Sequence, residues 1–315
     1  MASVLSAPHF HNEIAAYKFL EKRVWPQGPV CPHCGGVERI SPMKGDSTRI
    51  GSYKCYQCRS KFTVKVGTVF ESSHVKLHVW LQAVALLTSS KKGISANQLH
   101  RILGVTLKTA WFMGHRIREA MRDGTIVPLG GEGRPVEADE TYIWKKLDPK
   151  PSKQRRGFPF TKSGAAGAKR AIVSLVERGG SVRSFHVENS DKATINKIVA
   201  ENIARESTIY TDESRIYGDV KHHFADHATV KHSKQEYVRG DVHTNSVEGF
   251  FSIFKRGMQG VHQHCAEKHL HRYLAEFDFR YNARMALGID DLTRADRALT
   301  GIVGKRLTYR TTSGR

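Results

Sequence analysis

Apolar positions recur at helical intervals near both ends of the chain and alternate with polar ones through its middle. Residues 13–24 form an amphipathic helix closed by WPQGPV, and CRSKFTVKVGTVF alternates like a short hairpin. The stretch 74–122 is helical by period: one helix carries Trp80, Val84 and Leu87, and SANQLHRILGV and TLKTAWFMGHRIREAM follow, joined at Gly104. DGTIVPLGGEGRP, residues 123–135, is a turn-rich linker and a domain boundary. Beyond it VEADETYIW reads as a strand, and AIVSLVE and SVRSFHVE as a hairpin turning at Arg178, Gly179 and Gly180. Asp191 caps a helix through Ile203. STIYTDES is a short strand ending at Asp212, HATVKHS another, and the pattern from Thr244 is helical. HLHRYLAEFDFRYNAR closes with Leu270, Leu274, Phe277 and Tyr281 on one stripe. That order predicts a mixed sheet covered by helices, within a multidomain α+β chain.

Length and charge sharpen this picture. The 315 residues suffice for two or three domains, and 50 Lys and Arg against 30 Asp and Glu give a net charge of +20. Such a field attracts polyanions, nucleic acid first. No apolar run of about 18 residues occurs, so no membrane span is expected. The start of the chain lacks a basic-then-apolar signal pattern, so secretion is not expected.

Four of the five cysteines, Cys31, Cys34, Cys55 and Cys58, form two C-x-x-C pairs separated by twenty residues. Two knuckles at that spacing predict one tetrahedral zinc site, hence a zinc ribbon; Cys265 is read as a packing residue. The two helices meeting at Gly104 form a helix-turn-helix, whose second helix enters a major groove. The segment 145–170 holds nine Lys or Arg and one acid, and is read as a basic arm.

The strand VEADETYIW places Asp139 in a segment otherwise suited to a core. Asp212 at a strand end and Glu248 on the helix of NSVEGFFSIFKRG are its natural companions. On that helix Val247, Phe250, Phe251 and Phe254 form the buried side, while Asn245, Glu248, Ser252 and Lys255 share the other. Three carboxylates repel one another when gathered, and divalent metal removes that cost. Two Mg²⁺ or Mn²⁺ ions about 3.5–4 Å apart on oxygen ligands suit phosphodiester chemistry. Glu140 and Glu213 alternate away from Asp139 and Asp212 and are not expected as ligands.

These segments resemble the DDE insertion-sequence transposases with an N-terminal zinc ribbon, the ISXO type. WPQGPVCPHCGG, KFTVKVGTVFESS, SSKKGISANQLHRILGV, KTAWFMGHRIREAM, VEADETYIW, IYTDES, HTNSVEGFFSIFKRG and RYLAEFDFRYNAR stand in that family's order. The resemblance implies an RNase H-like catalytic fold, and the motifs and linker divide the chain into a helix plus zinc ribbon (1–72), a helix-turn-helix region (73–124) and a catalytic domain (125–315). It implies DNA hydrolysis and strand transfer at transposon ends by Asp139, Asp212 and Glu248, on a homodimer or higher oligomer. The family varies at the third acid, with Asn in some members, and Asn245 stands close by. By motif match Lys255 contacts phosphate. Arg256, Lys108, Arg116, Lys153, Arg155 and Arg156 complete the expected nucleic-acid contacts. Terminal inverted repeats and target DNA are the implied partners, in a bacterial cytoplasm at the nucleoid. Rival readings are a silent DNA-binding regulator, an RNase H-type nuclease that cuts without joining, and a hydrolase using His222, His223, His227 and His232.

Overall fold

The computed structural model describes residues 4–308 except 123, 125–126, 146–168, 221–222, 232, 234–235 and 237. The chain forms two compact units, Met1–Asp123 with Gly288–Arg315, and Gly124–Leu287.

In the first unit α1 (Glu13–Val24) starts where the Asn12 side chain accepts from the Ala15 amide at 3.0 Å. Strands β1 (Ile40–Pro42), β2 (Tyr53–Cys55) and β3 (Lys61–Phe62) pair antiparallel in that order to form the ribbon. Trp25 packs edge-on against Tyr53 and Phe62, giving this small sheet its core. The hairpin expected from CRSKFTVKVGTVF shrinks to the two residues of β3. Turns at Thr63–Val66 and Lys65–Thr68 consume the backbone hydrogen bonds beyond it, and Gly67 has a φ of +74°. Helices α2 (Leu77–Ser89), α3 (Ala96–Leu103) and α4 (Leu107–Met121) follow. Ser95 and Thr106 cap α3 and α4, and Gly104 ends α3 with a φ of +65°, a left-handed conformation suited to glycine. These caps make the tight corner of a helix-turn-helix.

The expected catalytic domain running to residue 315 is corrected at Gly288. The last helix, α8 (Asp291–Thr300), packs on α2, and Arg294 donates to the Thr88 carbonyl at 3.1 Å, so this segment belongs to the first unit. The ribbon and helix-turn-helix, expected as separate domains, share that unit.

The second unit is built on five strands: β4 (Val136–Lys145), β5 (Lys169–Glu177), β6 (Val182–Val187), β7 (Thr208–Thr211) and β8 (Asp226–Thr229). Their order is β6-β5-β4-β7-β8, with β5 antiparallel to β4 and β6, and β4, β7 and β8 parallel. This is the RNase H-like arrangement. Helix α5 (Lys192–Asn202), capped by Asp191, covers one side through Ile195, Ile198 and Val199. Helices α6 (Asn245–Gly257) and α7 (Leu270–Asn282) cover the other through Phe250, Phe251, Phe254 and Phe277. Cys265 is buried in that second cluster, a packing residue as expected. No described helix is long and apolar enough to cross a membrane.

Candidate functional site

Alternation along β4 decides which carboxylates can meet. Val136, Ala138 and Tyr142 pack toward α5, and Ile143 packs toward α6 and α7. The two-residue period of a strand therefore puts Asp139 on the α6 side and Glu140 on the α5 side. Glu140 accepts from the Tyr217 hydroxyl at 2.9 Å.

Strand β7 runs beside β4 with Val136 opposite Ile209 and Glu137 opposite Tyr210, a constant offset of 73 residues. The same offset separates Asp139 from Asp212, so continuing the register brings these two acids level on one side of the sheet. Asp212 is the first residue past β7. Its Oδ1 accepts from the Ser214 amide at 3.0 Å, a local turn that ends the strand. Glu248 lies in the first turn of α6, which packs on β4 and β5, and its Oε1 accepts from the Thr244 hydroxyl at 3.0 Å.

The electrostatics tie the three together. Burial first, then the charges of Glu140, Asp212 and Glu248, push the Asp139 carboxyl up to about 8, against a hydrogen bond from the Glu140 amide. Neighbouring carboxylates of this kind match a hard divalent cation, which would offset their repulsion. Among the described residues, however, the four cysteines are the only group of three or more potential ligands whose donor atoms all lie within 4.8 Å of one another. The three acids are electrostatic neighbours without that close an approach. Other nearby acids have partners of their own: Asp219 pairs with Lys192 at 2.6 Å, and Glu213, expected to face away, accepts from the Ser233 amide and hydroxyl. His227 pairs with the Thr211 hydroxyl, while His222 and His232 lie outside the described residues.

Alternation alone also points to Glu137, two residues before Asp139 on the same side, which the sequence reading passed over. Its carboxylate is wholly buried and accepts from the Ser246 and Val247 amides at the start of α6, at 2.7 and 3.0 Å.

The cysteines fit zinc on geometry. Cys31 and Cys58 sulfurs lie 3.6 Å apart, and Cys34 and Cys55 sulfurs 3.7 Å. Four sulfurs held tetrahedrally about 2.3 Å from one ion are separated by about 3.8 Å. Each knuckle is closed by backbone bonds, Gly35 to the Cys31 carbonyl and Cys55 to the Ser60 carbonyl, both at 2.9 Å.

The expected nucleic-acid contacts divide. Lys108 is exposed in the first turn of α4, beside exposed Thr106 and Leu107, whereas residues 113–118 of that helix are buried. Arg116 is corrected: its buried guanidinium donates to the carbonyls of Val69, Glu71 and Leu307 at 3.0, 2.8 and 3.1 Å, leaving it no route to a phosphate. On α6, Asn245, Glu248, Ser252 and Arg256 form an exposed stripe, with Lys255 half-buried beside it. Arg256 folds back onto Ser252, donating to its carbonyl at 3.1 Å and its hydroxyl at 2.9 Å. Lys153, Arg155, Arg156 and nearly all of the 145–170 arm lie outside the described residues.

Residues 128–282 match the ISXO2-like transposase domain, and residues 11–61 the transposase zinc-ribbon domain. A Halobacterium salinarum protein, described as an uncharacterized protein in transposable element ISH50, is 31% identical over 285 residues, covering 86% of this chain and 91% of its own. The crystal structure of the Mos1 strand transfer complex aligns with 70% of this chain and 74% of that one, at 14% identity and a TM-score of 0.30. The Mos1 mariner paired end complex with Mn aligns with 65% and 71%, at 15% identity and a TM-score of 0.30.

Proposed function

The chain belongs to the ISXO2-like transposases, and we propose that it cuts transposon-end DNA and joins the freed ends to a target. Asp139, Asp212 and Glu248 hold the catalytic metal, two Mg²⁺ or Mn²⁺ ions. The observation that carries this reading is the shared 73-residue offset, which levels Asp139 with Asp212 on the side of the sheet that α6 covers. The raised carboxyl of Asp139 supports it, since a site so crowded with negative charge calls for a cation.

Bound divalent metal supplies activation of an attacking oxygen and stabilisation of the leaving one. The strand position of Asp139 and the turn at Asp212 hold their oxygens rigidly, and the Thr244 hydroxyl orients Glu248. Lys255 and Arg256, about two turns past Glu248 along α6, bind the phosphate backbone beside the reacting bond. Hydrolysis leaves a 3′-OH, which then attacks a target phosphodiester in line, forming the new P–O bond as the target strand's own 3′ oxygen leaves as a 3′-OH, with no covalent link to the protein. The zinc ribbon, with one Zn²⁺ on Cys31, Cys34, Cys55 and Cys58, and the exposed start of α4 at Lys108 bind the terminal inverted repeats. Lys153, Arg155 and Arg156 hold flanking or target DNA. Two or more copies act together on paired ends, in the cytoplasm at the nucleoid.

The test is Mn²⁺-dependent nicking of DNA carrying the sequences that flank the gene, wild type beside Asp212→Ala. Wild type is expected to cut, and the variant to lose at least about 100-fold in rate while still binding DNA, since even partners of metal ligands cost about 10–100-fold. Binding by both without cutting by either would favour a DNA-binding regulator.

A further inference from the structure

We propose that buried Glu137 and half-buried Arg178 form a positioning hub that sets the spacing of the three elements bearing Asp139, Asp212 and Glu248. The inference rests on the metal-ligand assignment made above and extends it to residues that touch none of the reacting atoms.

The contacts converge from all three elements. Glu137 Oε2 accepts from the Ser246 and Val247 amides at 2.7 and 3.0 Å. Its Oε1 accepts from the Ser246 hydroxyl at 2.9 Å and from Arg178 Nη2 and Nε at 2.9 and 3.2 Å. Arg178, at the β5–β6 turn, also donates to the Asp241 carbonyl at 2.7 Å and the His243 carbonyl at 3.2 Å, and its Nη2 lies 3.1 Å from His243 Nδ1. Its guanidinium carbon lies 4.9 Å from the centre of the Tyr210 ring. Tyr210 is the register partner of Glu137.

Each contact stands one or two residues before an acid: Glu137 before Asp139, Tyr210 before Asp212, Ser246 and Val247 before Glu248. A shift at the hub is therefore passed along one or two peptide units to each ligand. The cap of α6 shows the same division of labour. Thr244, at the N-cap position, makes no side-chain cap bond. Its hydroxyl instead donates to Glu248 at 3.0 Å. Glu137, from a different element, takes over the free amides and meets the positive end of the helix. The helix start is thereby tied to β4 and the capping hydroxyl is released to orient the third acid. Burying the Glu137 charge is a costly way to gain stability alone, so a geometric role explains its presence better.

The test uses the full chain and four variants: Glu137→Gln, Glu137→Asp, Arg178→Lys and Asp139→Asn. Mn²⁺ binding is read from loss of the free-ion electron paramagnetic resonance signal, folding from thermal melting, and the α6 start from hydrogen exchange at Ser246 and Val247. Glu137→Gln is expected to remain folded at the assay temperature, exchange those two amides faster, and bind Mn²⁺ at least about 10-fold more weakly. Its nicking should recover partly as Mn²⁺ is raised. If Glu137→Gln does not fold, the conservative Glu137→Asp and Arg178→Lys carry the same expectation with smaller shifts. The hub is overturned if folded hub variants keep wild-type Mn²⁺ affinity and Mn²⁺ dependence while Asp139→Asn loses binding. If Asp139→Asn itself binds Mn²⁺ as wild type does, the ligand assignment fails and the hub falls with it.

Discussion

Asp139 is held on a strand whose neighbours are packed, with its carboxyl pushed up to about 8 by burial and by the acids around it. That arrangement is unfavourable without a counter-ion and favourable with one. Asp139→Asn is therefore expected to stabilise the metal-free chain by about 0.5–2 kcal/mol, as relief of functional strain commonly does. It should also abolish the rise in melting temperature that Mn²⁺ gives wild type. Melting curves with and without Mn²⁺ check both halves; a variant less stable than wild type without metal would count against the crowding. Period-two alternation in the sequence is enough to place Asp139 and Glu140 on opposite sides of β4. The same rule reaches Glu137, yet its partners Arg178, Ser246 and Val247 lie 41, 109 and 110 residues away and no local pattern links them. Arg116 misled for a related reason. A basic residue on a basic helix reads as a phosphate contact until the carbonyls of Val69, Glu71 and Leu307 surround it.

At the scale of elements, α7 shows how one side chain couples a helix to the sheet. Asp278 accepts from the Ser184 amide at 2.8 Å and the Ser184 hydroxyl at 2.7 Å, on β6. Burial raises its carboxyl to about 7, against those two bonds and the charge of Arg183. A folded value above the unfolded one of about 4 means the folded state holds the proton more tightly. The stability this group contributes is thus full below about pH 4 and is lost as pH rises through about 7. Urea unfolding should show wild type losing on the order of 1–3 kcal/mol between pH 5 and pH 8 relative to Asp278→Asn. Parallel pH profiles for the two proteins would refute the coupling. Elements with strong periodicity and caps were legible from the chain: α1 spans 13–24 as expected, and α5 begins after Asp191. The ribbon hairpin was not, because alternation over CRSKFTVKVGTVF is satisfied equally by turns that bury Phe62, Val64, Val69 and Phe70. Helix α8 was missed because DLTRADRALT is polar over most of its length and its burial depends on α2.

Across the whole molecule, a +20 chain combines a unit holding the transposase zinc ribbon with an RNase H-like one. The succession of strands and helices along the chain and the 73 residues between the two aspartates were both visible in the sequence, whereas the placing of β4 at the centre of the sheet was not. What linear reading could not supply is the return of Gly288–Arg315 to the first unit, since contacts between distant segments carry no local signature. Changing a ligand's chemistry while keeping its place tests whether Asp139, Asp212 and Glu248 hold the catalytic metal. Thiolate is a soft donor that Mg²⁺ accepts poorly and Mn²⁺ more readily. Nicking of end DNA by Asp139→Cys, measured in Mg²⁺ and in Mn²⁺, should show activity lost in Mg²⁺ and at least about 10-fold recovery in Mn²⁺, beyond any difference wild type shows. Activity of the variant near wild type in both metals would contradict Asp139 as a ligand.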